Sequence, residues 1–411
     1  MFKVESPQSD KEKAKVAASK VASNGEDVDL TAYISSTDEQ PRQADPSQLP
    51  EKTKSRMLET GIVLDTVSKR AGTFIQIDNT TVHSSSRQEG IEVMAISKAL
   101  EKYDWMGDYW WKAVAVDADK YTANVELNQR SGYFIRALPG YKTIYPVQSC
   151  LYLSQNNLAQ KAHNIIIAEE ESELHIITGC ATPSEQEAGL HLGVSEIYIK
   201  RGARVTFTMI HNWSPGIAVR PRTGIYVEKD GVFLSNYVIM KPVRSLQMNP
   251  VARCIGENAI VRFNSVLLAT PGSTMDVGSK VILDARASKT EIISRAITTG
   301  GKIITRGYIE GNALDVKGHL ECRGLVLREG GMIHAIPELK GNLAGIDLSH
   351  EAAVGKIAEE EIGYLMARGL TRSEATAIII RGFMRVDVEG LPPQLSAELS
   401  KAMKDGEKDI M

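Results

Sequence analysis

Gly278-Ser-Lys-Val-Ile-Leu283, then Glu291-Ile-Ile293, then Gly301-Lys-Ile-Ile-Thr305: three short β-branched runs follow one another with no helical spacer between them. Val and Ile are stiff at χ1 and pack well on a pleated surface, so each run reads as a strand. The pattern continues outward, upstream in Asn164-Ile-Ile-Ile167, Glu196-Ile-Tyr-Ile199 and Arg204-Val-Thr-Phe207, downstream in Gly330-Gly-Met-Ile333. Gly202, Gly231, Gly256, Gly278, Gly301 and Gly330 open several of these runs, at separations of 29, 25, 22, 23 and 29 residues. Glycine turns corners because it accepts positive φ. A quasi-period in the twenties without helices predicts a solenoid, each coil one turn of chain with two or three short strands. A jelly roll is the alternative, because pattern alone does not fix connectivity.

The β core is expected over residues 132–345. Before it, residues 1–50 read as a polar, loosely ordered segment, with a charged surface helix near Asp10–Val21. Residues 51–131 read as a helical or mixed domain, including a helical patch over Gln88–Tyr103. The aromatic cluster Trp105, Tyr109, Trp110 and Trp111 reads as packing rather than a ligand box. Residues 346–411 read as helical. Ile362, Leu365 and Met366 give one amphipathic helix, and Gly369 fits its stop. Thr371 and Glu374 make a capping-box pair for a second, with Ala375, Ile378, Ile379 and Phe383 on one face and Leu391-Pro392-Pro393 ending it. Two short helices joined by a glycine turn suit protein docking.

Bulk composition excludes several functions. The 411 residues carry 48 basic and 51 acidic side chains, a net charge of −3, which gives no general pull toward nucleic acid or anionic membrane. Apolar runs such as Ile378-Ile379-Ile380 are far too short to span a bilayer, and the polar N-terminus has no secretory apolar region. The four cysteines, Cys150, Cys180, Cys254 and Cys322, form no CxxC pair and read as reduced thiols of a cytoplasmic protein. There is no GxxxxGK[ST] loop, so ATP hydrolysis would need a partner. No Ser-His-Asp arrangement is supported by spacing either.

Asp347-Leu-Ser-His350-Glu351-Ala-Ala-Val-Gly-Lys-Ile357 concentrates metal-binding chemistry, since His350 follows Cys322 by 28 residues. Thiolate, imidazole and carboxylate all bind iron. Strand alternation puts Leu320 and Cys322 on one face with Glu321 on the other, and makes His350 and Glu351 point oppositely. Cys180, between Gly179 and a Thr-Pro turn, is expected near a strand end and accessible. His319 and His334 read as structural or exposed.

These motifs resemble the SufB/SufD family of iron–sulfur cluster assembly proteins. The matching stretches run in order: Thr178-Gly-Cys180-Ala-Thr-Pro183, Gly189-Leu-His-Leu-Gly-Val-Ser-Glu-Ile-Tyr198, Ile210-His-Asn-Trp213-Ser-Pro-Gly216, Arg306-Gly-Tyr-Ile309, Cys322, Ser349-His350-Glu351-Ala352, and the helices through Arg368-Gly-Leu370 and Gly382-Phe383. The resemblance implies a mainly β fold, a right-handed parallel β-helix flanked by N-terminal and C-terminal helical domains. It implies a scaffold, not an enzyme, of a SUF-type complex that builds a transient iron–sulfur cluster and passes it to apo-proteins. A SufC-like ABC ATPase would dock at 357–384. The chain would dimerise through the end of the β-helix, with itself or with a SufB or SufD sister subunit. Cys180 would accept sulfur from a donor, with His211, Trp213 and Lys229 along the sulfur path. Cys322, His350 and Glu351 would hold the iron.

The chain is closer to SufB, because it keeps both Cys180 and Cys322. It departs where His211 stands in place of a common Gln, and where Tyr152 and Ser154 replace an Arg and an Asn. A SufD-like structural subunit without essential cluster ligands is the alternative. A β-helix enzyme acting on polysaccharide is disfavoured by the scarcity of aromatics in the β region.

Overall fold

The computed structural model describes residues 7–64, 69–128 and 131–384. The Leu391-Pro392-Pro393 expectation lies outside them. The described residues form a β-solenoid of about eight coils, in which successive coils place one strand in each of two facing sheets. One sheet runs from Thr80–Ser86 and Gly72–Ile77 through Val147–Tyr152, Glu173–Ala181, Arg204–Asn212, Val232–Ile239, Ile260–Ala269, Lys289–Thr298 and Lys317–Val326 to Asp347–Gly355. Its neighbours are parallel except for the hairpin that starts it. The facing sheet likewise starts on an antiparallel pair, Ile91–Ala95 with Tyr133–Ala137, and then continues in parallel to Met332–Gly341.

The repeat is longer than the glycine spacing predicts. Register partners Ser265, Ser294, Cys322 and Ala352 are 29, 28 and 30 residues apart (294−265, 322−294, 352−322). The same corner recurs as Glu171, Gly202, Asp230, Asn258, Ala287, Asp315 and Gly345, all with φ between 55° and 82°. Only two of these are glycine. Asp and Asn also tolerate the left-handed region, which hid the corner from a search for glycines. Gly278, by contrast, is inside the strand Thr274–Leu283 rather than at a corner.

Several domain boundaries differ from expectation. The solenoid extends beyond residue 345 to Gly355, because Asp347–Gly355 pairs along its length with Lys317–Val326. Residues 72–95 supply strands to both sheets rather than a separate helical unit, and the predicted helix over Gln88–Tyr103 divides into the strand Ile91–Ala95 and the helix Ile96–Lys102. The described part of residues 1–50 is packed rather than loose. The helix Pro7–Ala17 buries Ala14 and Ala17, and Arg220 binds the carbonyl of Glu26 at 2.9 Å. A short polar segment offers no apolar periodicity, so its order comes from the surface it lies on.

The solenoid interior holds one core of apolar side chains. The N-terminal helices and aromatics pack outside the second sheet, as the aromatic cluster predicts, through Trp110, Trp111, Tyr121 and Tyr198. Outside the first sheet, Leu49, Met57 and Ile62 cover early coils, while Ile380 and Met384 join the same layer. Thr371 and Glu374 cap the helix Arg372–Met384 reciprocally, at 2.8 and 3.3 Å. Its buried residues are Ala375, Ile380 and Met384, so Ile378 is exposed rather than inward as the pattern predicts.

Candidate functional site

Strand pairing stacks the inward side chains of the first sheet into columns. One column reads Thr178, Met209, Tyr237, Ser265, Ser294, Cys322, Ala352. A second reads Cys180, His211, Ile239, Leu267, Ala296, Gly324, Val354, and a third ends on Leu320 and His350. Cys180 and Cys322 therefore project into the same interior. Five strand steps separate them, roughly 24 Å at about 4.8 Å per step.

Cys180 is at the end of its strand, as expected, but is fully buried rather than accessible. Burial pushes its thiol well above the usual range, and nearby Cys150 adds to this. His211 is its register partner on the next coil. The His211 Nδ1 lies 2.8 Å from the Tyr237 hydroxyl, and its ring meets Trp213 at 5.3 Å between centroids. Burial, then His191, holds His211 well below the ordinary histidine value, so it is neutral near pH 7. The Nε2 of His211 and the Nε1 of Trp213 are buried without hydrogen-bond partners. His191, from the facing sheet, stacks on Trp213 at 5.1 Å and meets Gln160 Oε1 at 2.8 Å. Sequence reading missed His191, Tyr237 and Gln160, because their proximity exists only after the coils stack.

Between the cysteines the middle column is polar. Ser265 donates to Ser294 at 3.1 Å, and a cavity of about 30 Å³, room for about one water, lies beside Tyr237, Ser265 and Ser294. Lys229 is not part of this interior. It sits exposed at a solvent-facing corner beside Asp230. Cys150 faces outward into the layer under residues 49–62, and Cys254 fills the core from the facing sheet.

Cys322 is 2% exposed and faces inward. Burial raises its thiol, partly offset by a hydrogen bond from Thr305. His350 pairs in register with Leu320, so it projects to the same side as Cys322 from the last coil, where it is exposed. Glu351 pairs with Glu321 on the opposite face and binds Arg323 at 3.2 Å. The structure thus brings Cys322 and His350 to one side and directs Glu351 to the other. His319 is exposed and meets Ser349 Oγ at 2.9 Å, and His334 is exposed. No group of three His, Cys, Asp or Glu side chains among the described residues could hold a metal within one chain.

The last coil is uncovered, and both of its strands are largely exposed. Beyond it, Tyr364, Met366 and Ile378 expose apolar surface on the two C-terminal helices. A cleft of about 720 Å³ lies between these helices and the turn Val326–Gly331. No described helix is long and apolar enough to cross a membrane.

Residues 151–383 match the family model described as SUF system FeS cluster assembly, SufBD core domain. The chain is 48% identical over 400 residues to an iron–sulfur cluster assembly SufBD family protein of Methanothermobacter thermautotrophicus (strain Winter), covering 95% of this chain and 97% of the relative. It is 50% identical over 358 residues to one of Archaeoglobus fulgidus, covering 87% and 96%. A more distant relative of the same description, from Staphylococcus aureus (strain MRSA252), is 28% identical over 386 residues, covering 92% and 82%. With the family model matching more than half of its length and its motif residues lining one solenoid interior, the chain belongs to the SufBD family of iron–sulfur cluster assembly proteins.

Proposed function

We propose that this chain is the scaffold subunit of a SUF-type complex: it receives sulfur at Cys180, passes it along the solenoid interior, and assembles an iron–sulfur cluster at Cys322 and His350. The observation that carries this reading is that both cysteines face one interior and are linked by the polar column Tyr237, Ser265, Ser294. The cluster is the cargo. Cys322 supplies a soft thiolate once deprotonated, and His350 a nitrogen ligand that releases iron more readily than a second thiolate. Glu351, facing the other way and held by Arg323, serves the outer ion-pair ladder.

Two candidate ligands per chain are too few for a cluster. A second chain meeting the exposed strands Met332–Gly341 and Asp347–Gly355 would supply the rest. These strands present unpaired edges of the kind that invite association. The partner is a second copy or a SufB or SufD sister subunit, in the cytoplasm. The exposed Tyr364, Met366 and Ile378 offer the docking surface for a SufC-like ABC ATPase, which supplies the hydrolysis this chain lacks. Apo-proteins then take the cluster.

The shortage of ligands within one chain favours a second reading, a SufD-like structural subunit. Anaerobic reconstitution with iron and sulfide decides between them. The scaffold reading requires a brown protein whose absorption and Mössbauer spectra report a cluster, lost in Cys322→Ser with the fold intact. A colourless wild-type protein would leave the structural reading.

A further inference from the structure

The neighbourhood of Cys180 contains more chemistry than a thiol needs for packing. His211 is its register partner, with both side chains facing inward, so strand spacing sets their Cα atoms about 4.8 Å apart. Tyr237, on the next strand, fixes the other ring nitrogen of His211 at 2.8 Å. When Nδ1–H donates to the Tyr237 oxygen, Nε2 carries the free lone pair. That Nε2 has no partner, and neither has the indole N–H of Trp213 beside it, although both residues are only 2% exposed. Buried polar atoms are nearly always satisfied. A donor and a potential acceptor left open together in one interior point to a polar guest that comes and goes.

We propose that His211 is the proton acceptor that activates the Cys180 sulfhydryl for sulfur uptake, with Tyr237 as the positioning residue that selects its tautomer and Trp213 as a hydrogen-bond donor to the arriving sulfur. The inference rests on the reading of Cys180 as sulfur acceptor and deepens it. The donor is a persulfide, R–S–SH. As the Cys180 proton passes to His211 Nε2, the Cys180 sulfur attacks the terminal sulfur of the donor. The donor S–S bond breaks, its electron pair leaves with R–S⁻, and the imidazolium returns the proton to that thiolate. The sum is R–S–SH + Cys–SH → R–SH + Cys–S–SH, with no net oxidation or reduction.

Burial disfavours a lone thiolate and a lone imidazolium alike. Forming them together places opposite charges side by side, which offsets part of both penalties. The titratable groups packed around His211 are Cys180, Tyr237 and His191. Burial raises the Tyr237 hydroxyl well above its usual value, so it remains a neutral partner near pH 7, and His191 is also neutral there, pushed down to about 4 by burial. No competing cation among them would hold the thiolate in place of His211.

The test uses the full chain and cysteine persulfide as donor. Samples are acid-quenched, unfolded and alkylated, and the rate at which the Cys180 peptide gains one sulfur is read by mass spectrometry between about pH 6 and pH 9. Each rate is divided by that of the same protein unfolded, which removes the donor's own ionisation. His211→Gln is expected to slow uptake near neutral pH by about 100-fold, the usual scale of general-base assistance, and to make its own rate climb about tenfold per pH unit with thiol ionisation. Tyr237→Phe is expected to lower the rate several-fold while keeping the shallow wild-type profile. A His211→Gln rate equal to wild type overturns the proposal. Should that variant not fold, the wild type decides alone: a native rate that parallels the unfolded one across the pH range overturns it, and a native rate that stays shallow supports it. If Cys180→Ser abolishes sulfur uptake and His211→Gln does not change it, only the base assignment fails. If wild-type Cys180 gains no sulfur, the acceptor reading and this inference fail together.

Discussion

His350 pairs in register with Leu320, two residues short of the Cys322–Ala352 pair, so Cys322 and His350 face the same side of adjacent coils. Glu351, the next residue, faces away. Cys322→Ser and His350→Ala should each lower the iron retained after anaerobic reconstitution, Cys322→Ser to background and His350→Ala by at least half. Glu351→Ala should leave iron within about a quarter of wild type, because an exposed ion pair such as that with Arg323 contributes only about 0–1 kcal/mol. Iron and sulfide analysis of the three purified variants checks the order. Equal losses for His350→Ala and Glu351→Ala would show that strand parity does not govern the site.

Tyr364 and Ile378 are 59% and 43% exposed on helices whose other faces are buried. Tyr364→Glu and Ile378→Glu should each weaken co-purification with the ATPase about tenfold or more, since a charge placed in an apolar contact must be desolvated. Thermal melting should be unchanged, because neither side chain packs within the chain. Retained co-purification by the double variant would remove the docking assignment.

Glu196 is fully buried and accepts from the backbone N–H groups of Trp111, Ala113 and Val114 and from the Tyr198 hydroxyl, with His163 Nε2 at 2.8 Å. It clamps the aromatic turn of the N-terminal region to the solenoid. Glu196→Ala should cost about 3–5 kcal/mol, the scale for stripping the partner from a buried hydrogen-bonded charge network. Chemical denaturation measures this, and proteolysis should cut first within residues 104–116.

His191 is fully buried, and burial pushes its value from 6.5 down to about 4. Between these values the unfolded chain binds a proton that the folded chain refuses. Stability contributed by the neutral ring is therefore complete above about pH 6.5 and is lost as pH falls toward about 4, by about 3 kcal/mol in total. Denaturant melts across that window should show this slope. His191→Gln should flatten it by about one proton's worth, and an unchanged slope would mean that the ring is not buried neutral.

Ala287 occupies the recurrent corner with φ of 57°. A Cβ there strains the left-handed backbone by about 1 kcal/mol, and the greater freedom of unfolded glycine returns part of that. Ala287→Gly should stabilise the protein by about 0.5 kcal/mol in equilibrium unfolding. A loss of stability would indicate that the Ala287 methyl packs usefully.

The sequence by itself determined the solenoid class, because β-branched runs with regular punctuation and no helices admit few architectures. It also determined the C-terminal helix pair, because Gly369 and the Thr371–Glu374 cap are local signals whose partners lie within a few residues. The motif residues Cys180, His211, Trp213, Cys322 and His350 were legible as types. Tertiary structure alone decided the rest. The coil length was obscured because Asp230, Asn258, Ala287 and Asp315 turn the same corner that glycine turns elsewhere. The burial of Cys180 depends on coils packed above and below it, and the exposure of Lys229 depends on which side of a turn it occupies. The meeting of His211 with Tyr237 and His191 joins residues from three strands and both sheets. Neighbours in a solenoid are set by stacking register roughly a coil apart, and no local pattern of residues encodes that register until the strands pair.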